Sequence, residues 1–252
     1  MKILTLLVFF PLVCFAQKQN KLSFELGIGK NNFSMHDLNQ FYVDSFAVKN
    51  EMLDKGISIG NQFFIGIKYR PKNSLFDIGF YGNYQNGKTA GRPKQIITDD
   101  LGNQIGMKEI DFILKTEAIG LGISNCWYIS HLLKFQEKEN KILNRFHIGL
   151  ELNAGIGFSR ASLDFRDTEL VGGSTYNYFI SRDFQSQVGL KFEYDYLKSP
   201  IISSIGLKVG YQYFNTQTLK DRNGENWFVQ GNTPINLNFS GVFGLLYLVI
   251  GK

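Results

Sequence analysis

The readiest acid–base or metal chemistry in this chain of 252 residues belongs to three histidines, His36, His131 and His147. They fall in three separate stretches and share no ligand spacing such as i, i+4, so they predict no zinc site. No Gly-x-Ser-x-Gly turn offers a nucleophilic serine. Gly82-Asn83-Tyr84-Gln85-Asn86-Gly87-Lys88-Thr89 spells the phosphate loop G-x-x-x-x-G-K-[ST]. That loop works only when a helix N-terminus follows it, and Ala90-Gly91-Arg92-Pro93 would break a helix at once. Asp221-Arg222-Asn223-Gly224-Glu225-Asn226 carries oxygen ligands but lacks the later bidentate Glu of a calcium loop, and its Asn223-Gly224 predicts a turn. No catalytic, metal or cofactor residue is therefore expected, and the chain reads as a protein without enzymatic activity.

A second set of reactive groups is more informative. Glu25, Lys68, Arg70, Asp77, Glu151, Lys191, Glu193, Asp195 and Lys208 sit at alternate positions within runs whose other positions are apolar. A period of two belongs to strands, whose side chains point alternately to opposite faces. Gathered on one shared face, these four basic and five acidic groups nearly neutralise one another. The chemistry they predict is a paired, hydrogen-bonded polar interior, with an ion or proton path as the alternative.

Composition agrees with a β-rich chain. Aromatics make up 15% and charged residues 19%, with Gly 26 against Pro 5. The aromatic content excludes a disordered chain, and neither a collagen nor a heptad period occurs. Low charge with high Phe, Tyr and Gly departs from the usual soluble enzyme. The net charge of +5 is spread thinly, without the basic run of a nucleic-acid patch.

Met1-Lys2, the apolar run Ile3–Phe15 and Cys14-Phe15-Ala16 before polar Gln17-Lys18 read as a secretory signal peptide over 1–16. Val13 and Leu12 before Cys14 do not suit lipid attachment. The predicted mature domain, 17–252, keeps Cys126 alone, so no intrachain disulfide staples this exported chain. No later run reaches 18 apolar residues, so no spanning helix is expected there.

Alternation recurs in eight segments. In Phe146–Phe158 the even positions are Phe, Ile, Leu, Leu, Ala, Ile and Phe, and the odd ones are polar or glycine. Similar runs begin at Leu22, Phe63, Phe76, Val188 and Ile205. Phe112 and Leu114 change register to Ile119, Leu121 and Ile123, which predicts a bulge at Lys115–Glu117. Leu237, Phe239, Gly241, Phe243, Leu245 and Tyr247 form a last apolar alternation near the C-terminus. Strands of this length cross a hydrocarbon layer. The connections are short at Pro71–Ser74 and Lys198–Pro200, medium at His131–Asn144, and long at Phe33–Ser58, Asn86–Met107, Ala161–Asp183 and Asn215–Thr233. Long and short turns on opposite sides predict an all-β, eight-stranded antiparallel transmembrane β-barrel, with short periplasmic turns and long extracellular loops. Tyr69, Phe76, Trp127, Tyr128, Phe146, Tyr194 and Tyr196 cluster at strand ends as an aromatic girdle would. A soluble barrel would turn the apolar face inward and would need polar residues, not glycine, outside.

With this leader, eight alternating segments and an apolar terminal strand Leu237–Ile250, the chain resembles the small outer-membrane β-barrel proteins of Gram-negative bacteria. It departs from them in ending Ile250-Gly251-Lys252 where many carry a terminal Phe. The expected location is the cell outer membrane. The expected role is structural or surface-interacting, exercised through the extracellular loops of a monomer with a side-chain-filled interior. Asn226-Trp227-Phe228 supply exposed aromatics, and Lys88, Arg92 and Lys94 suit anionic sugars and phosphates. The expected partners are outer-membrane lipid and lipopolysaccharide, with an extracellular or periplasmic protein as a further candidate and no nucleic acid. The alternatives are a narrow channel for small solutes, favoured by the inward glycines Gly27, Gly66, Gly79, Gly149, Gly155, Gly189 and Gly206, and a lipid-modifying barrel enzyme.

Overall fold

The computed structural model describes residues 21–40, 56–71, 74–92, 94–134, 142–167, 174–195, 202–229 and 233–251. The predicted signal peptide and Tyr196 lie outside them.

Eleven strands are present among the described residues: β1 (Lys21–Asn32), β2 (Ile59–Arg70), β3 (Phe76–Gly91), β4 (Lys94–Thr98), β5 (Gln104–Tyr128), β6 (Phe146–Asp167), β7 (Ser174–Asp195), β8 (Ile202–Tyr213), β9 (Phe228–Val229), β10 (Thr233–Pro234) and β11 (Gly241–Ile250). Strands β1, β2, β3, β5, β6, β7, β8 and β11 pair antiparallel in that order, and β11 returns to β1 to close the ring. Closure leaves no open edge inside a membrane, where an unpaired backbone group is costly. The eight-stranded antiparallel barrel expected from the alternation is thus the fold. β4 resumes the path of β3 and pairs with the first part of β5, Lys94 opposite Glu109. This hairpin continues beyond the last β2 pairing, Asn61 with Asn86, and beyond the last β6 pairing, Ile110 with Asp167.

The alternation is realised as two faces. Leu26, Ile65, Phe80, Leu121, Ile156, Val188, Leu207 and Leu246 are exposed on the outer wall, one from each ring strand. Glu25, Lys68, Asp77, Ser124, Glu151, Lys191, Lys208 and Tyr247 are buried inside.

The structure corrects several expectations. The pairing of β5 with β3 and β6 runs unbroken from Phe112 to Trp127, so no bulge interrupts Lys115–Glu117. Phe112 and Leu114 instead point inward, where they join a buried apolar cluster with Phe33, Met35, Ala161, Leu163, Phe214, Leu237 and Phe239. The apolar side of the strand changes because the upper lumen is itself apolar. In β11, Phe243, Leu245 and Tyr247 are interior residues, and Leu237 and Phe239 precede the strand. Val242, Leu246 and Leu248 face out. Much of the long connections at Asn86–Met107 and Ala161–Asp183 is paired strand, with Phe165 opposite Thr175. Strand pairing outlasts the apolar belt because backbone hydrogen bonds need no lipid. Tyr128 is buried in the lumen and does not belong to the aromatic girdle, whereas Phe76 and Trp127 are exposed at the wall's lower edge.

Candidate functional site

The lumen is built in layers. At the end bearing the short turns, Arg70 from the end of β2 grips Asp77 from the start of β3 through Nε at 2.5 Å and Nη2 at 2.9 Å. Its guanidinium lies 4.2 Å from the ring centroid of Tyr128, a stacked position that suits its planar fork. Tyr128 Oη donates to Asp77 Oδ2 at 2.9 Å. His131 stacks on the Tyr128 ring, and His147 Nε2 meets Asp195 Oδ2 at 3.0 Å. Ser204 Oγ donates to the same carboxylate, to Oδ1 at 3.0 Å. The serine hydroxyl and His147 thus share one carboxylate, that of Asp195. These groups line a vestibule of about 730 Å³ that reaches inward to Glu25.

Above it lies an ionic layer. Lys191 bridges Glu25 and Glu193, the latter at 2.7 Å. Lys208 meets Glu151 Oε1 at 2.5 Å and Glu25 Oε2 at 3.7 Å, and Lys68 meets Glu151 Oε2 at 3.0 Å. The Lys208 ammonium also lies 3.7 Å from the ring centroid of Phe64. Each ammonium faces two or more acceptors, because burial of an ion is tolerated only with several partners. Of the nine charges read from the alternation, Glu25, Lys68, Glu151, Lys191, Glu193 and Lys208 meet in this layer. Arg70, Asp77 and Asp195 lie below it.

The next layer consists of amides. Gln212 Oε1 accepts from Gln187 Nε2 at 2.7 Å, Gln85 Nε2 at 3.0 Å and Gln185 Nε2 at 3.1 Å. Gln212 Nε2 donates onward to the Phe239 carbonyl at 3.0 Å, and Asn31 Nδ2 donates to Gln85 Oε1 at 2.7 Å. The amides of Gln185 and Asn83 lie against Gly120, where a Cβ would collide with both. Asn83, Gln85, Gln187 and Gln212 alternate with apolar residues along their strands, which puts them on inner faces. Their convergence on one oxygen could not be read without the register.

The apolar cluster lies at the far end. The segment after β8 folds back across the mouth: Phe239 N donates to the Phe214 carbonyl at 2.8 Å, and Thr216 N to the Leu237 carbonyl at 2.9 Å. Phe214 and Phe239 stack with centroids 5.6 Å apart. Two inward glycines sit against aromatic rings. A Cβ on Gly206 would strike Tyr247, and one on Gly157 would strike Phe214, so aromatic rings already occupy the room they make.

The loop residues singled out from the sequence are placed differently from one another. Trp227 is packed face to face on Phe179 with centroids 3.7 Å apart, which removes it as an exposed aromatic. Phe228 lies in β9, and its side chain and that of Lys94 fall outside the described residues. Arg92 pairs with Asp111 at 2.9 Å, and Lys88 is exposed. His36 is exposed on a short helical turn after β1. The phosphate-loop letters Gly82–Thr89 lie inside β3, and Asp221–Gly224 forms a tight turn with Gly224 at φ 86°.

On the outer wall a polar collar tops the apolar belt. Lys30 Nζ donates to Asn61 Oδ1 at 2.6 Å, and Tyr84 Oη donates to Glu117 Oε1 at 3.0 Å. Arg160 Nε reaches Glu117 Oε2 at 2.9 Å. Below it, exposed Ile, Leu, Val and Phe continue around all eight strands. A soluble protein rarely exposes so continuous an apolar surface, and a bilayer requires it. The architecture is that of a small outer-membrane β-barrel. No protein-family model and no curated protein matches the chain. Among solved structures, it is similar to the attachment invasion locus protein Ail of Yersinia pestis in complex with the heparin analogue sucrose octasulfate, at 12% identity and TM-score 0.38, covering 92% of this chain and 98% of that one. It is also similar to Neisserial surface protein A, at 14% and 0.36 over 91% and 96%. A third is the outer membrane protease OmpT from Escherichia coli, at 9% and 0.31 over 92% and 94%.

Proposed function

We propose that this barrel is sealed and non-enzymatic, and that it acts at the cell surface through the hairpins that rise above its collar. The observation that carries this reading is the stacking of an ionic layer, an amide layer and an apolar lid one above another in the lumen. A solute would have to break each in turn. The β3–β4–β5 hairpin and the β6–β7 hairpin present the groups available to an outside partner. Outer-leaflet lipid, including lipopolysaccharide, is the partner in contact with the wall, and an extracellular macromolecule is the partner of the hairpins. Export would follow cleavage after Ala16, which mass analysis of the purified protein tests by finding Gln17 at its start.

Single cysteines test the orientation, since Cys126 is buried. A membrane-impermeant maleimide should label Gly102→Cys, at the tip of the β4–β5 turn, on intact cells. It should label Ser74→Cys, at a short turn, only after permeabilisation. The opposite pattern would invert the topology and remove the surface role.

A further inference from the structure

We propose that Lys88 and Lys115 form a clamp for the phosphate group of an anionic lipid in the outer leaflet. The two lysines stand directly opposite each other on β3 and β5. Both are exposed, and neither makes an ion pair or side-chain hydrogen bond among the described residues. Directly opposed side chains on a sheet have Cβ atoms about 5 Å apart, and like charges there repel. The nearest carboxylate along β5 cannot relieve this, because both oxygens of Glu117 are engaged, one by Tyr84 and one by Arg160. An arrangement that places two cations side by side and commits the neighbouring anion elsewhere is completed by an anion from outside.

Position identifies its source. Lys88 shares the outer face of β3 with Phe80 and Tyr84, and Lys115 that of β5 with Ile119 and Leu121. Their side chains therefore leave the wall sideways, toward lipid, and not toward the mouth. The pair lies two residues beyond Asn86–Glu117 in the collar and four beyond Tyr84–Ile119 in the belt. At about 3.3 Å per residue and a tilt of about 40°, that is about 5 Å above the collar and 10 Å above the belt. The headgroup layer occupies about 5–8 Å on each side of the hydrocarbon, and a flexible lysine stem spans the remainder. An ammonium pair serves a phosphate as two point charges, without the fixed fork of arginine. The inference rests on the membrane reading of the barrel.

The test uses the full-length mature protein in neutral detergent, titrated with a bis-phosphorylated acylated glucosamine disaccharide and followed by native mass spectrometry. Parallel arms use the dephosphorylated glycolipid, inorganic phosphate, and a soluble sulfated oligosaccharide. The expected result is one tightly held phosphorylated lipid, with binding weakened at least tenfold in Lys88→Gln/Lys115→Gln and absent for the dephosphorylated lipid. Lys30→Gln, two strands away on β1 with its ammonium held by Asn61, should bind as wild type, and the double variant should keep the heat-dependent gel shift of a folded barrel. Equal binding by the double variant, equal binding of dephosphorylated lipid, or preference for the soluble sulfated sugar would each overturn the clamp. A barrel that failed to enter lipid bilayers would instead overturn the membrane reading.

Discussion

Lys208 Nζ lies 2.5 Å from Glu151 Oε1, and each side chain is 1% exposed. The second oxygen of Glu151 holds Lys68, so one carboxylate anchors two buried ammonium groups contributed by β8 and β2, with β11 and β1 between them. A pair of this kind is not a large net gain over apolar packing. Its consequence is asymmetric, because removing one member strands the others away from water.

Glu151→Gln should therefore be the most damaging single change in the lumen, since it strips two lysines at once. Lys208→Met, which leaves Glu151 with Lys68, should cost about 3–5 kcal/mol. Urea unfolding in phospholipid vesicles checks the order. Glu151→Gln at or below the cost of Lys208→Met would contradict the layer as described.

Gly120→Ala should disturb the amide layer, because the new methyl meets the oxygens of Gln185 and Asn83. Overpacking of a filled interior costs about 1–3 kcal/mol. Gly102→Ala, with open space around it, serves as a control for loop strain, since Gly102 adopts φ 82°. Loss of stability at Gly102 exceeding that at Gly120 would count against a packed amide core.

Phe239→Ala should loosen the lid by about 3–5 kcal/mol, the range for a buried aromatic, without opening a pore, since the ionic and amide layers remain beneath. Faster hydrogen exchange at the amides of Thr216 and Leu219 is the expected signature. Sustained ion current through this variant would mean that the lid alone holds the barrel shut.

The tip of the β4–β5 hairpin should respond to acid. Hydrogen bonds from the Asn103 side chain and backbone, with a smaller one from Leu101 N, hold the Asp99 carboxyl below its ordinary value. A lowered folded value means that the stabilising contribution is fully present above the unfolded value, about 3.9. It is lost as pH falls through the folded one. Amide exchange at Asn103 should quicken only below that range, and Asp99→Asn should abolish the dependence. Quickening near neutrality would contradict the turn.

Much of this structure is legible in the sequence because a membrane barrel writes its faces at period two. Phe146–Phe158 declares both its lipid face and, through Glu151 and Asn153, its interior. The same rule misleads at Phe112 and Leu114, where the upper lumen is apolar and the change of side mimics a bulge. It misleads again in β11, whose inner residues Phe243, Leu245 and Tyr247 are as apolar as its outer ones. Strand pairing beyond the belt, as at Phe165 and Thr175, leaves no periodic trace because both faces there are free to be polar. The meeting of Gln85, Gln185, Gln187 and Gln212 depends on the stagger of three strands, which no single segment encodes. Trp227 looks exposed in its sequence context, and only the fold brings Phe179 to cover it.

The central claim, a sealed lumen, is tested most directly by the conductance of the purified wild-type protein in planar lipid bilayers. Barrels of eight strands have room for their own side chains, whereas water-filled porins need about sixteen strands. The wild type should show no steady conductance, and Lys191→Met and Lys208→Met should be equally silent despite their lowered stability. A stable open pore in the wild type, with ion selectivity altered by those two substitutions, would contradict it.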